Sequence, residues 1–212
     1  MVGTVNVLEA ARHRGLKRIA YASSIAAHSF LPGTPWLATL YGAYKLCDEM
    51  IAHTYAADWE VPSGGLRPGV VYGLGRDQGL TSKTTVAILA AAARQPYTVP
   101  FSGPVSALHA GEVASAFIKA VSMDRDDAHV FDINGRATSV EEWLEIVRGL
   151  APDAQLRIEG EALPFPAELS DEPVQRHLGD YGPVPLQEGI EETFEDFRRL
   201  LASGALSPEA VS

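Results

Sequence analysis

Arg18-Ile19-Ala20-Tyr21-Ala22-Ser23-Ser24 is the stretch on which the reading of this chain turns. A short apolar run that closes on a serine pair reads as a buried strand delivering polar side chains at its end. Before it, residues 3 to 14 place Val5, Leu8 and Ala11 on one helical face. Basic residues close that helix, and Gly15 fits as its stop. After it, a polar, proline-bearing loop runs from Ser23 to Pro35, and a long helix follows from about Thr39 to Asp58. Gly65 to Tyr72 holds a second apolar run, Leu66-Arg67-Pro68-Gly69-Val70-Val71-Tyr72. Its Pro and Gly mark an irregularity where the strand ends and another group can approach the backbone. Helices alternating with short buried strands predict an α/β fold with a parallel sheet.

The later sequence adds a helix over Leu80 to Arg94, a short strand at Val99 to Phe101 and a helix over Glu112 to Val121. The strand Val130-Phe131-Asp132-Ile133 stops at Asn134-Gly135. Thr138 with Glu141, or Ser139 with Glu142, offers a capping box. The helix behind it has Val140, Trp143, Leu144 and Val147 on one face. A loop-rich segment from Ala154 to Pro185 precedes a last helix, Leu186 to Leu201, with Ile190, Phe194 and Phe197 inward. Three or four strands can be counted. A parallel sheet must be covered on both faces, so the strand after Arg18 needs neighbours.

Composition narrows the function. A net charge of −10 with no basic stripe argues against a nucleic-acid groove. The longest apolar stretches, such as Val86 to Ala93, are far short of a membrane span. The N-terminus lacks the basic region and apolar core of a signal peptide, so a cytoplasmic location is the default expectation. Cys47 is the only cysteine, and a small buried filler is preferred over a reactive thiol. The histidines show no metal-ligand spacing, so no metal is expected.

The chemistry concentrates in Leu40-Tyr41-Gly42-Ala43-Tyr44-Lys45. Tyr41 and Lys45 are four apart, so on a helix they share a face one turn apart. A cation beside a phenol favours the phenolate, and a phenolate is a usable general base.

A serine at a strand end, then Tyr-x-x-x-Lys on the next long helix, then Leu66-Arg67-Pro68 and Val71-Tyr72-Gly73 at the next strand end: this order resembles the extended short-chain dehydrogenase/reductases, the NAD-dependent epimerase/dehydratase family. Three further stretches fit the resemblance. They are Gly3 to Ala11 before the serine strand, His109-Ala110-Gly111-Glu112-Val113-Ala114, and Phe131-Asp132-Ile133-Asn134-Gly135. The resemblance implies a partial Rossmann-like parallel sheet flanked by helices, with a small C-terminal substrate lobe. Residues 1–73 would form the NAD(P)-binding region with the catalytic residues. Residues 74–212 would form the substrate lobe, interleaved with late Rossmann elements at about 105–135.

The resemblance also implies roles. Tyr41 would exchange a proton with a substrate hydroxyl or carbonyl. Lys45 would favour the phenolate and hydrogen-bond the nicotinamide ribose. Ser24 would orient the substrate oxygen. Pro68, Gly69, Val70 and Val71 match the backbone that lines the nicotinamide of NAD or NADP. Ala26, His28 and Arg76 would face substrate. Ala27-His28-Ser29 departs from the family's Val-Tyr-Gly, and Val70 stands where many sugar-nucleotide epimerases have asparagine. His28 has two readings, an extra acid/base beside Ser24 and a loop histidine in solvent, and the second carries more weight. His109 reads as a capping or packing residue. Gly73-Leu74-Gly75-Arg76-Asp77-Gln78-Gly79 follows a strand but lacks Gly-x-Gly-x-x-Gly spacing, so it does not read as a dinucleotide loop.

The family's glycine-rich turn and first four strands have no counterpart here, so the chain reads as a truncated member. The edge near Arg18 would then be exposed, and a homo-oligomer or a second chain would cover it. Three functions follow. One is NAD(P)-dependent oxidoreductase or epimerase chemistry on a secondary alcohol or ketone of a sugar derivative or small hydroxy compound. Another is a non-catalytic remnant or interaction module. The third is a nicotinamide-free lyase or hydratase using the same acid/base residues.

Overall fold

The computed structural model describes residues 2–124 and 126–208. Along the chain run α1 (Val2–Arg14), β1 (Ala20–Ala22), a 3-10 helix (Ile25–Phe30), α2 (Leu40–Trp59), β2 (Ser63–Pro68) and β3 (Val71–Tyr72). A 3-10 turn (Leu80–Ser82), α3 (Lys83–Ala92), β4 (Tyr97–Val99), β5 (Pro104–His109), α4 (Ala110–Ser122) and β6 (Ala128–Ile133) follow. The chain continues through β7 (Arg136–Ser139), α5 (Val140–Leu150), β8 (Leu156–Ile158), α6 (Glu172–Leu178) and α7 (Leu186–Ala202). These elements form two compact units. One comprises Met1–Gly69, Glu112–Asn134 and Pro164–Gly182; the other comprises Val70–Gly111, Gly135–Leu163 and Pro183–Ser212.

The first unit is built on a parallel sheet in the order β1-β2-β6. Ala22 pairs with Leu66, and Leu66 with Phe131. β2 is central, and Ser63 to Leu66 are buried. Among the described residues, β1 has a partner on one side only. It is therefore half-buried rather than buried, and ends exposed at Ala22. α1 closes where expected: Gly15 turns left-handed at φ 62°, and the Leu16 amide donates back to Ala11 at 3.0 Å. Its Leu8 and Ala11 pack with Ile19, Ala52, Tyr55 and Val61 into one cluster. Thr39 caps α2 by accepting from the Gly42 amide at 3.0 Å.

The second unit holds the mixed sheet β3-β5-β7 and the parallel pair β4-β8. α3 is its centre, with Thr84 to Ala91 buried and α5 and α7 packed against it. Tyr72 meets Trp143 edge-on at 4.7 Å between ring centres, and His109 at 5.2 Å. His109 is thus a packing residue, and its Nδ1 accepts from the Gly111 amide at 3.3 Å. Ser139 is the cap of α5, accepting from the Glu142 amide at 3.1 Å. Glu142 turns its carboxylate to Thr138 at 2.6 Å and Arg136 at 2.7 Å. Val140, Trp143, Leu144 and Val147 are buried, as the helical pattern requires. Ile190, Phe194 and Phe197 of α7 are also buried.

Several sequence expectations need correction. The apolar run at Gly65–Tyr72 divides between two strands in two sheets. β2 stops at Pro68, which has no N–H with which to extend a ladder. The Gly69 amide still donates to Ile133 at 2.8 Å, but the Val70 amide donates to the Ser106 hydroxyl at 2.6 Å. β3 then pairs with β5. The helix at Leu80–Arg94 opens as a 3-10 turn and is α-helical only over Lys83–Ala92. The strand placed at Val99–Phe101 lies at Tyr97–Val99. The stretch 154–185 contains β8 and α6 rather than loop alone. No described helix is long and apolar enough to cross a membrane.

Two glycines inside helices make opposite predictions. α2 runs so close to the 3-10 helix that a Cβ on Gly42 would collide with the Ala26 carbonyl. A Cβ on Gly149 of α5 would meet nothing within 4 Å. Alanine gains up to about 1 kcal/mol over glycine in a helix interior, whereas overpacking costs about 1–3 kcal/mol. Urea unfolding should therefore show Gly42→Ala destabilised and Gly149→Ala unchanged or stabilised.

Candidate active site

In a parallel α/β sheet, ligands are met at the carboxyl ends of the strands. Three strands end together in the first unit. β1 delivers Ser23 and Ser24, β2 delivers Arg67, Pro68 and Gly69, and β6 delivers Asp132 and Asn134. Ser24 caps the 3-10 helix, its Oγ accepting from the Ala26 amide at 3.2 Å. Ala26 itself is buried, and Gly42 lies against its carbonyl. That close approach brings the start of α2, and with it Tyr41, beside the turn that Ser24 caps.

Tyr41 is 55% exposed, so its phenol is open to a ligand. Lys45 is half-buried, with its Nζ 5.6 Å from the centre of the Tyr41 ring. The same Nζ donates to the Ala22 carbonyl at 2.7 Å. An ammonium has three donors, so this anchor leaves capacity for a further acceptor. Tyr21 is a different phenol. Burial pushes its pKa up, the nearby Glu49 charge pushes it further, and Arg67 only partly opposes them. Tyr21 therefore stays protonated and is not a base.

The most tightly bonded group at this end of the sheet lies one turn beyond Lys45. Glu49 is buried, yet its carboxylate is well supplied with donors. Arg67 donates to it twice, from Nε at 2.7 Å and from Nη2 at 2.5 Å, and the Ser23 hydroxyl donates as well. Burial works against the Arg67 charge. The hydrogen bonds and charge of Glu49, with the charge of Asp132, outweigh it and hold the guanidinium above its ordinary pKa. Asp132 lies 3.7 Å from Arg67 and 2.7 Å from His28 Nε2. His28, 13% exposed, is therefore not a loop histidine in solvent. It sits on the 3-10 helix, bonded to a carboxylate 104 residues away in sequence.

Ser24, Ala26, His28, Tyr41, Lys45, Pro68 and Gly69 all belong to the first unit. Val70, Val71 and Arg76 belong to the second. Val70 is buried, and Arg76 is tied into its own loop, donating to Thr81 at 2.9 Å and to the Gln78 carbonyl. Cys47 is half-buried, less enclosed than a core filler. Sequence reading passed over Glu49 and Asp132. Glu49 could have been found, because 41, 45 and 49 form one helical stripe.

The sequence pattern of the NAD dependent epimerase/dehydratase family matches residues 1–134. Protein CapI of Staphylococcus aureus is 35% identical over 98 residues, which are 42% of this chain and 29% of that protein. The chain thus spans under a third of the length of the curated relatives it matches. Among solved structures, a partial consensus L-threonine 3-dehydrogenase superposes with a TM-score of 0.82 at 23% identity, over 94% of this chain and 71% of that one. The UDP-glucose 4-epimerase of Thermus thermophilus, solved with NAD, gives a TM-score of 0.75 at 22% identity, over 93% of this chain and 69% of that one. Those likenesses carry the fold, and the sequence match carries the family: the chain belongs to the NAD dependent epimerase/dehydratase family.

Proposed function

We propose that this chain carries the acid/base half of NAD(P)-dependent chemistry at a secondary alcohol or ketone carbon of a sugar derivative or small hydroxy compound, in the cytoplasm. The carrying observation is the placement of Lys45. Its Nζ is fixed on Ala22 at 2.7 Å and stands 5.6 Å from the Tyr41 ring, beside the turn capped by Ser24. In this reading the Tyr41 hydroxyl exchanges the proton with the substrate oxygen. Lys45 keeps positive charge beside it, and Ser24 orients that oxygen. Within the first unit, Ala26 and His28 are the further residues assigned to the substrate side. Residues 1–73 carry the cofactor-side and proton-transfer residues, and most of the substrate lobe falls in residues 74–212.

The residues present suit one end of a nicotinamide dinucleotide. Tyr41 is open, Lys45 has unspent donors, and Pro68 and Gly69 offer half-buried backbone at a strand end. Tyr41, Lys45, Pro68 and Gly69 would hold that end. The bound cofactor would supply the hydride exchange. No Gly-x-Gly-x-x-Gly stands in the sequence to cradle the pyrophosphate.

A second reading, an interaction module, draws on the open edge of β1. Strand edges with free N–H and C=O groups recruit partners. A second copy or another chain covering that edge fits either reading.

Calorimetric titration with NAD and with NADP should give measurable heat, and its complete absence would exclude the cofactor-dependent reading for this chain. Tyr41→Phe should lower carbonyl turnover by about 10²–10⁴-fold, the usual worth of a positioned proton donor. Light scattering should show a species larger than the monomer; a monodisperse monomer would overturn the covered edge.

A further inference from the structure

We propose that Glu49 is a positioning residue of the Ser24–Tyr41–Lys45 site, acting through Ser23 and the end of β1. The proposal rests on the acid/base reading above, since it concerns the same three residues.

Tyr41, Lys45 and Glu49 follow one another at one-turn spacing along α2. Lys45 bonds the carbonyl of Ala22, and Glu49 receives the hydroxyl of Ser23. Two successive turns of the helix are thereby pinned to two successive residues at the strand end, and Ser24 is the next residue. One hydrogen bond would leave the helix free to roll about it. Two bonds along the axis, with the close approach of Gly42 to Ala26, fix both roll and slide. A slip of one residue turns a helix by about 100° and moves it about 1.5 Å, enough to carry the Tyr41 hydroxyl away from Ser24.

The anchor is stiff because Glu49 is itself held. Arg67 engages both of its oxygens, Asp132 of β6 stands behind Arg67, and His28 stands behind Asp132. The chain of hydrogen bonds and ion-pair contacts runs Ser23–Glu49–Arg67–Asp132–His28, its Arg67–Asp132 link an ion pair at 3.7 Å. It begins one residue before Ser24 and ends four residues after it. Ser24 and the turn it caps are thus bracketed on both sides by a largely buried polar network. Arg67 and Glu49 are only 13% and 6% exposed, so solvent does little to loosen the bracket.

The test needs no turnover. Protein labelled with ¹³C at tyrosine Cζ and lysine Cε, and with ¹⁵N in the backbone, is compared with Glu49→Gln. Tyr41→Phe and Lys45→Arg assign the two ¹³C signals. The Tyr41 and Lys45 resonances and the Ala26 amide should move by more than their line widths in Glu49→Gln. In Trp143→Phe, which weakens the second unit, they should stay in place. Unmoved resonances in a folded Glu49→Gln protein would overturn the proposal, as would equal movement in Trp143→Phe. If Glu49→Gln does not fold, Ser23→Ala decides: it deletes one hydrogen bond and keeps the ion pair, and the Lys45 and Ala26 signals must still move. If Tyr41→Phe leaves turnover intact while these signals respond to Glu49→Gln, the acid/base reading fails and the positioning geometry stands.

Discussion

The constraint on which the rest of the first unit depends is the buried ion pair between Glu49 of α2 and Arg67 of β2. Taking two charges out of water is costly, and their attraction offsets that cost only with good geometry and further hydrogen bonds. Both conditions are met, because the pairing is two-pronged and Ser23 and Asp132 use remaining capacity. Once buried, the pair is hard to break singly. Removing one partner of such a pair costs about 3–5 kcal/mol, because the other is left charged and uncompensated. An exposed helical pair such as Arg176–Glu172, at 3.6 Å, is worth at most about 1 kcal/mol. The buried pair therefore dictates how α2 lies on β2, and the others do not.

Much of the first unit was legible because its signals are local. Gly15 ends α1, Thr39 opens α2, and a serine pair follows an apolar run, each within a few residues. Ser139 and Glu142 announce α5 in the same way. The strands of the second unit were harder for a physical reason. Arg136–Ser139 carries no large apolar residue, and its strand character comes from pairing with Pro104–His109, some thirty residues earlier. α6 is seven residues long, too short for a helical period to stand out, and owes its form to packing on β6. Pro68 and Gly69 mark the end of β2 in the sequence, but nothing there names the new partner. It depends on where Ile133 and Ser106 offer acceptors.

The candidate site divides along the same line. Tyr41 and Lys45 are one turn apart, so spacing alone pairs them. Asp132 and His28 are joined across 104 residues, a contact that no pattern in the sequence encodes. That contact changes how His28 is understood, from a loop residue in water to a half-buried member of a charged network. Arg67 stood in view as part of Leu66-Arg67-Pro68, but its value lies in the carboxylates that folding brings to it.

The edge of β1 and the turn of α2 that carries Lys45 and Asp48 line one surface. A hollow of about 360 Å³ runs along that edge, lined by Gly3, Thr4 and Val7 of α1, by Ala20 to Ala22 of β1, and by Lys45 and Asp48 of α2. Thr4 and Asp48 share a 2.7 Å hydrogen bond across its wall. A parallel strand gains its stability from neighbours on both sides, and β1 has one. Burial records the difference: four successive residues of β2 are buried, while β1 loses cover toward Ala22. Ala22 is also the residue whose carbonyl holds Lys45. The wall of the hollow that carries Lys45 is thus fastened to the least covered residue of β1.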